Sequence, residues 1–208
     1  MISLHEKLSS DSLRERISWS VILFLILFFG VTIISYVALP EELLKNKHPL
    51  QNWENSDNAV ILTLQIFFYN LMSVGVIILA GLFGTKKEEQ THYLSLGYQA
   101  FFTLICLNAV ILGTWSFSSA SDPIPLPGRI LRTFDLVHRG GPWEMMGQLL
   151  VACSTAHIAT VLSSGKHTVT RKIREIRLSR PDKIAFGAGI TCMFLGAVVE
   201  SISIHALG

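Results

Sequence analysis

Residues 17–39 read ISWSVILFLILFFGVTIISYVAL, twenty-three positions without one charged side chain. A helix rising 1.5 Å per residue needs about 20 apolar residues to cross about 30 Å of hydrocarbon. Lipid offers no partner to free backbone N–H and C=O groups, so a helix, which satisfies its own, is the form such a run must take. Four further runs follow at 59–84, 93–117, 143–163 and 184–207. None alternates polar and apolar positions in the ten-residue blocks of a membrane barrel. The expected fold is all-α, a polytopic transmembrane bundle of about five helices. Residues 1–16 form a tail, and 17–208 form a single membrane domain. The first run exceeds the 7–15 residues of a signal-peptide core, so it reads as an anchor that stays in the membrane.

Composition agrees with that class. Half of the 208 residues are hydrophobic and 15% are charged, where soluble domains carry about 25%. Mean hydropathy is +0.47. The net charge of +2 is small, and no basic face interleaved with aromatics suggests nucleic acid as a partner. Cys106, Cys153 and Cys192 lie in three different apolar runs without CxxC spacing, as expected of small core residues rather than a disulfide framework.

Lysine and arginine set the expected orientation. Placing the N-terminus inside puts Lys7, Arg14, Arg16, Lys86, Lys87, Lys166, Arg171, Lys172, Arg174, Arg177, Arg180 and Lys183 on the cytoplasmic side. Lys45, Lys47, Arg129, Arg132 and Arg139 then lie outside. Twelve cations against five favour a cytoplasmic N-terminus and an outer C-terminus in a multi-pass plasma-membrane protein. The basic loop 164–183 mixes Arg171, Lys172, Arg174, Arg177 and Arg180 with Ile173, Ile176 and Leu178. It is either an ordinary orientation signal, a surface helix on the lipid bilayer, or a docking site for a cytoplasmic protein. In the preceding loop, prolines from Pro123 to Pro127 and Gly128 argue against a regular helix at that point. Then Ile130, Leu131, Phe134 and Val137 return at helical spacing, which predicts a short interfacial helix on the outer leaflet.

Polar residues inside apolar runs are the functional candidates. Glu144 and Gln148 are four apart and share a helix face. Glu200 lies in the outer half of the last run, so both glutamates are expected on the same side of the membrane. Facing each other they would repel unless one is protonated or a cation intervenes, with His138 and Arg139 as nearby candidates. Asn70 and Asn108 either bridge helices or meet a substrate. No spacing sets two histidines and a glutamate on one face, and no HExxH or GxSG motif is present. No metal and no cofactor is therefore expected.

Three stretches resemble the stage II sporulation protein M family of integral membrane proteins: IFFYNLMSVGVIILAGLFG at 66–84, HRGGPWEMMGQLL at 138–150 and FLGAVVESIS at 194–203. Tyr69 stands where members carry a second asparagine beside Asn70, and Glu144 and Glu200 match the family pattern best. The resemblance implies a non-enzymatic scaffold or accessory subunit of a membrane complex. Partners among wall-remodelling proteins or transporter ATPases follow from the same resemblance. A small permease or an exporter or immunity subunit built on the intramembrane polar residues is the alternative, and an intramembrane hydrolase the third reading.

Overall fold

The first apolar run folds as α2, Leu13–Ala38, and its two faces are sorted against the rule for soluble helices. Arg16, Ser20, Phe28, Thr32 and Ser35 are buried, a stripe recurring every three or four residues and largely polar or small. Ile22, Ile26, Ile34 and Val37 are exposed. Soluble helices bury the apolar face and expose the polar one. Here the exposed apolar face suits lipid, and the small polar face lets neighbouring helices approach. Gly113 of α4 uses that approach: a Cβ there would stand 2.6 Å from the Thr32 carbonyl.

The computed structural model describes residues 4–45, 47, 56–86, 93–117, 123–136, 138–165 and 167–207. The element order is α1 (Leu4–Leu8), α2, α3 (Ala59–Gly81), β1 (Phe83–Thr85), β2 (Leu94–Ser95), α4 (Leu96–Gly113), α5 (Leu126–Thr133), α6 (Gly141–Ser154), β3 (Val161–Ser164), β4 (His167–Thr170), a 3-10 turn (Ile173–Glu175) and α7 (Arg180–Leu207). Helices α2, α3, α4 and α7 are long and apolar enough to cross a membrane. Three of the four, α3, α4 and α7, open on a capping side chain visible in the sequence. Asn58 accepts hydrogen bonds from Val60 and Ile61 N–H at the start of α3, and Ser95 accepts from Gly97 N–H at the start of α4. Before α7, Ser179 Oγ donates to Asp182 Oδ2 at 2.6 Å and accepts from Asp182 N–H at 3.3 Å, a reciprocal cap.

The expected fourth span, 143–163, is the main correction. Helix α6 has 14 residues, about 21 Å, and the chain continues as turn, extended backbone and strand. Its end is set by Arg16. The Arg16 Nε–H donates to the Cys153 carbonyl at 3.1 Å, the kind of orphan acceptor that a continuing helix would have used. The same guanidinium donates to the Ser10 carbonyl at 2.6 Å, the Asp11 carbonyl at 3.2 Å and Asp182 Oδ1 at 2.5 Å. Arg16 is 1% exposed, so a charge counted in the tail is buried where α2, α6 and α7 meet.

The fold is mainly α, as expected, with one small sheet added to the helices. A four-stranded sheet of order β2-β1-β3-β4 closes the end of the bundle that holds Arg16. β1 pairs parallel with β3 (Gly84 opposite Leu162) and antiparallel with β2 (Gly84 opposite Ser95). β3 and β4 form a hairpin whose turn begins at Gly165, at φ +67°, a conformation glycine adopts without strain. Strands of two to four residues are too short to display a period of two, and β1, β2 and β3 lie at the ends of stretches expected to be helical. The basic loop 164–183 is thus partly strand and 3-10 turn.

At the opposite end, α5 begins at Leu126 with Pro127 in its first turn, where proline lacks no hydrogen bond it would otherwise make. The proline-rich stretch therefore starts a helix rather than forbidding one. Arg129, counted among the outer cations, is 1% exposed. It donates to the Ile124 carbonyl and to Glu41 Oε1, both at 2.6 Å, and to the Gly113 carbonyl. Its guanidinium lies 4.8 Å from the Tyr36 ring. Farther along, Phe134 stacks on Phe29 at 5.9 Å. Since Phe29 and Tyr36 are seven residues apart on α2, this segment descends about 10 Å along the bundle before α6 begins.

Replacing Arg16 by alanine strands Asp182 and the Cys153 carbonyl. The expected loss is about 3–5 kcal/mol of stability, and Arg16→Lys should recover little because an ammonium cannot reproduce the planar fork. Unfolding curves of the purified variants in one detergent measure both.

Candidate functional site

Two glutamates meet at the junction of α3, α6 and α7. Glu144 lies in the first turn of α6, where the helix dipole favours a negative charge. Glu200 comes from α7, two turns short of its end. Asn70 of α3 donates from Nδ2 to Glu144 Oε1 at 2.6 Å. A Cβ on Gly140 would stand 3.0 Å from Glu200 Oε2, and one on Gly196 would stand 3.1 Å from Glu144 Cγ, so each glutamate lies against the backbone one turn before the other. Arg139, in the segment leading to α6, is close enough to Glu200 to act on it electrostatically.

Glycine makes this meeting possible. A Cβ on Gly147 would stand 2.5 Å from Met193 Cγ and 2.6 Å from the Gly189 carbonyl, and one on Gly140 would stand 2.5 Å from the Gly196 carbonyl. Helices α6 and α7 therefore run in backbone contact over these turns, bringing the two acidic side chains together. Gly75 and Gly187, by contrast, have open space where a Cβ would sit.

Gln148 continues the stripe one turn beyond Glu144. The next position on that face, Val151, packs with Val74 of α3 and Met193 of α7. Gln148 thus lies in the same seam, below the carboxyl pair. It is 5% exposed, and its Oε1 has no hydrogen-bond partner among the described residues.

Other candidates sit elsewhere. His138 is 70% exposed at its side chain and pairs with Asp135 at 3.0 Å, so it faces away from the carboxyls. Asn108 is exposed on α4. Among the described residues no three His, Cys, Asp or Glu side chains gather as a metal-binding set. Ser154 Oγ donates to the Val151 carbonyl, and His157 Nε2 donates to the Ser9 carbonyl at 3.2 Å, so the two do not form a nucleophile and base.

The strand end of the bundle carries a second polar region. A cavity of about 350 Å³ is lined by Asp11, Tyr93, His157, Arg171, Glu175 and Arg177, among others. Arg171 donates to the His157 carbonyl at 3.2 Å and lies 5.5 Å from the Tyr93 ring. It is therefore built into the platform, whereas Lys172, Arg174, Arg177 and Arg180 are exposed. Burial, with Arg16 as a second cause, holds the His157 imidazole below its ordinary value, and burial raises the Tyr93 phenol.

Asp182 was not among the residues singled out from the sequence. Its signals were Ser179 three positions earlier and an arginine directly before an uncharged run.

A family model described as Stage II sporulation protein M matches residues 20–203, most of the chain. Neither a curated protein nor a solved structure gives a match.

Two outcomes follow from this geometry. Gly147→Ala should cost about 1–3 kcal/mol by forcing α6 from α7, read as a lower unfolding midpoint. Because His157 titrates lower in the folded chain than its ordinary 6.5, the unfolded chain binds more protons below that pH. Stability should therefore fall as pH drops through about 6.5, and His157→Gln should flatten that part of a melting-temperature profile against pH.

Proposed function

The chain belongs to the stage II sporulation protein M family, and on that premise we propose that it is a membrane-embedded scaffold or accessory subunit that docks a partner protein. The observation that supports this most is the open edge of the sheet. Among the described residues β4 pairs only with β3, and all four of its residues are exposed. An edge strand offers unpaired backbone donors and acceptors to an incoming segment. Directly after it come the exposed side chains of Lys172, Ile173, Arg174 and Arg177. The partner suited to this surface is an extended acidic segment that adds as a fifth strand and sets its carboxylates against those cations.

In this reading the sheet end faces the cytoplasm, because most lysines and arginines lie on that side. The buried Arg16 and the strand pairing give that face a fixed shape, which suits holding a partner in one orientation. The role requires no chemistry from the chain, so the reading is non-enzymatic. A small permease is the second reading, and the carboxyl pair between α6 and α7 is its support, since intramembrane ionisable groups often mark transport paths.

Isolation of the full chain from its native membrane in mild detergent tests the docking role. A partner should co-purify in near-stoichiometric amount, and the triple variant Lys172→Glu, Arg174→Glu, Arg177→Glu should retain less than a tenth of it. A chain that purifies alone, or a variant that keeps its partner, overturns the proposal.

A further inference from the structure

Two adjoining recesses open at the sheet end of the bundle, and Asp11 lines both. The first is the cavity of about 350 Å³, room for a small polar group. Arg171 and Arg177 bring two positive charges to its wall, and Asp11 and Glu175 bring two negative ones. Among the described residues these four form no ion pair with one another. His157, on the same wall, adds no charge at neutral pH, because burial holds its imidazole below the ordinary value. The formal charges therefore cancel across an open space instead of by direct contact. A ligand complementary to such a wall carries one charge of each sign.

The second recess, of about 570 Å³, lies along the first turns of α2 and α7. Leu13 and Ile17, four residues apart on one face of α2, line it together with Pro181 of α7. Arg14 adds one exposed cation. Ile17 opens the uncharged run 17–39, so this groove begins where α2 enters the apolar layer. A charged cavity joined to a partly apolar groove at that depth has the shape of a phospholipid, a headgroup with a hydrocarbon chain attached.

The walls also select the headgroup. Arg171 is held in place, donating to the His157 carbonyl at 3.2 Å with its guanidinium 5.5 Å from the Tyr93 ring. A planar fork fixed in this way suits a phosphate. One tyrosine whose face already carries a guanidinium makes no aromatic cage for a quaternary ammonium. Asp11 and Glu175 instead offer acceptors to a primary ammonium, which has three protons to donate.

We propose that this end of the bundle binds one phosphatidylethanolamine molecule. Arg171 and Arg177 take its phosphate, Asp11 and Glu175 take its ammonium, and an acyl chain enters the groove beside Leu13 and Ile17. The site lies outside the β4 edge and shares only Arg177 with the docking surface. Its readout involves no partner protein, so the two proposals can fail separately.

Thermal unfolding of the purified full chain at neutral pH tests it, in micelles of one neutral detergent. Phosphatidylethanolamine, phosphatidylcholine or phosphatidylglycerol with the same acyl chains is added stepwise. A saturable rise in the unfolding midpoint is expected, strongest with phosphatidylethanolamine. Free O-phosphoethanolamine, the headgroup without chains, should give no rise at the same concentration. Asp11→Asn removes one charge, touches no residue of the docking surface and keeps the backbone carbonyl that Arg16 uses. Losing a charge-assisted hydrogen bond in this way should raise the half-saturating lipid fraction about tenfold, and Arg177→Gln should do the same from the phosphate side. A response to phosphatidylcholine or phosphatidylglycerol as strong as that to phosphatidylethanolamine overturns the proposal. So does a response to O-phosphoethanolamine equal to that of the lipid, or an undiminished response in either variant.

Discussion

One buried guanidinium organises the end of the bundle on which the rest is built. Arg16 enters from α2, donates to the Cys153 carbonyl near the end of α6 and pairs with the carboxylate that caps α7. A lone charge at that depth would be prohibitive. With four acceptors around it, the charge becomes a joint between three helices. Because it holds the Cys153 carbonyl, the chain leaves the helix at Ser154 and reaches Leu82, where Thr160 and Val161 N–H bond to the Leu82 carbonyl at 2.7 Å and 3.0 Å. The sheet, the exposed edge of β4 and the basic segment after it all follow from that exit.

The depth of the acidic pair follows as well. With its lower end pinned, a 14-residue α6 stops short of the opposite end, and Glu144 meets α7 at Glu200 rather than at its last turn. Arg129 closes the gap above from the other side, tied to Gly113, Ile124 and Glu41 and packed on Tyr36. Two buried arginines, one near each end, thus leave an irregular polar stretch between them, in a bundle whose surface is otherwise apolar.

The long helices were legible because each carries its signal within itself: 20 or so apolar residues, joined in α3 and α4 by a capping side chain, Asn58 or Ser95. Membership of the family was legible too, since the three stretches that carry the resemblance lie within the matched residues. The structure brings Glu144 and Glu200 to one junction, where Asn70 donates to Glu144. His138 and Asn108 belonged to the same compositional argument but do not join the cluster. Sequence position alone says nothing of which way a side chain turns when the helix partner is unknown.

By itself, the sequence determined that this is a helical membrane protein, because lipid leaves long uncharged runs one way to satisfy their backbones. It also placed polar groups at given heights along those runs, since a helix converts residue number into depth. Only the tertiary structure decided that α6 is short, that β-strands close one end, and that Arg16 and Arg129 are joints rather than surface charges. Those outcomes depend largely on contacts between residues far apart in the sequence, such as Arg16 with Cys153 and Asp182, or Arg129 with Glu41. No local pattern encodes such a contact. It exists only once the glycines of α6 and α7 have let the helices close upon each other.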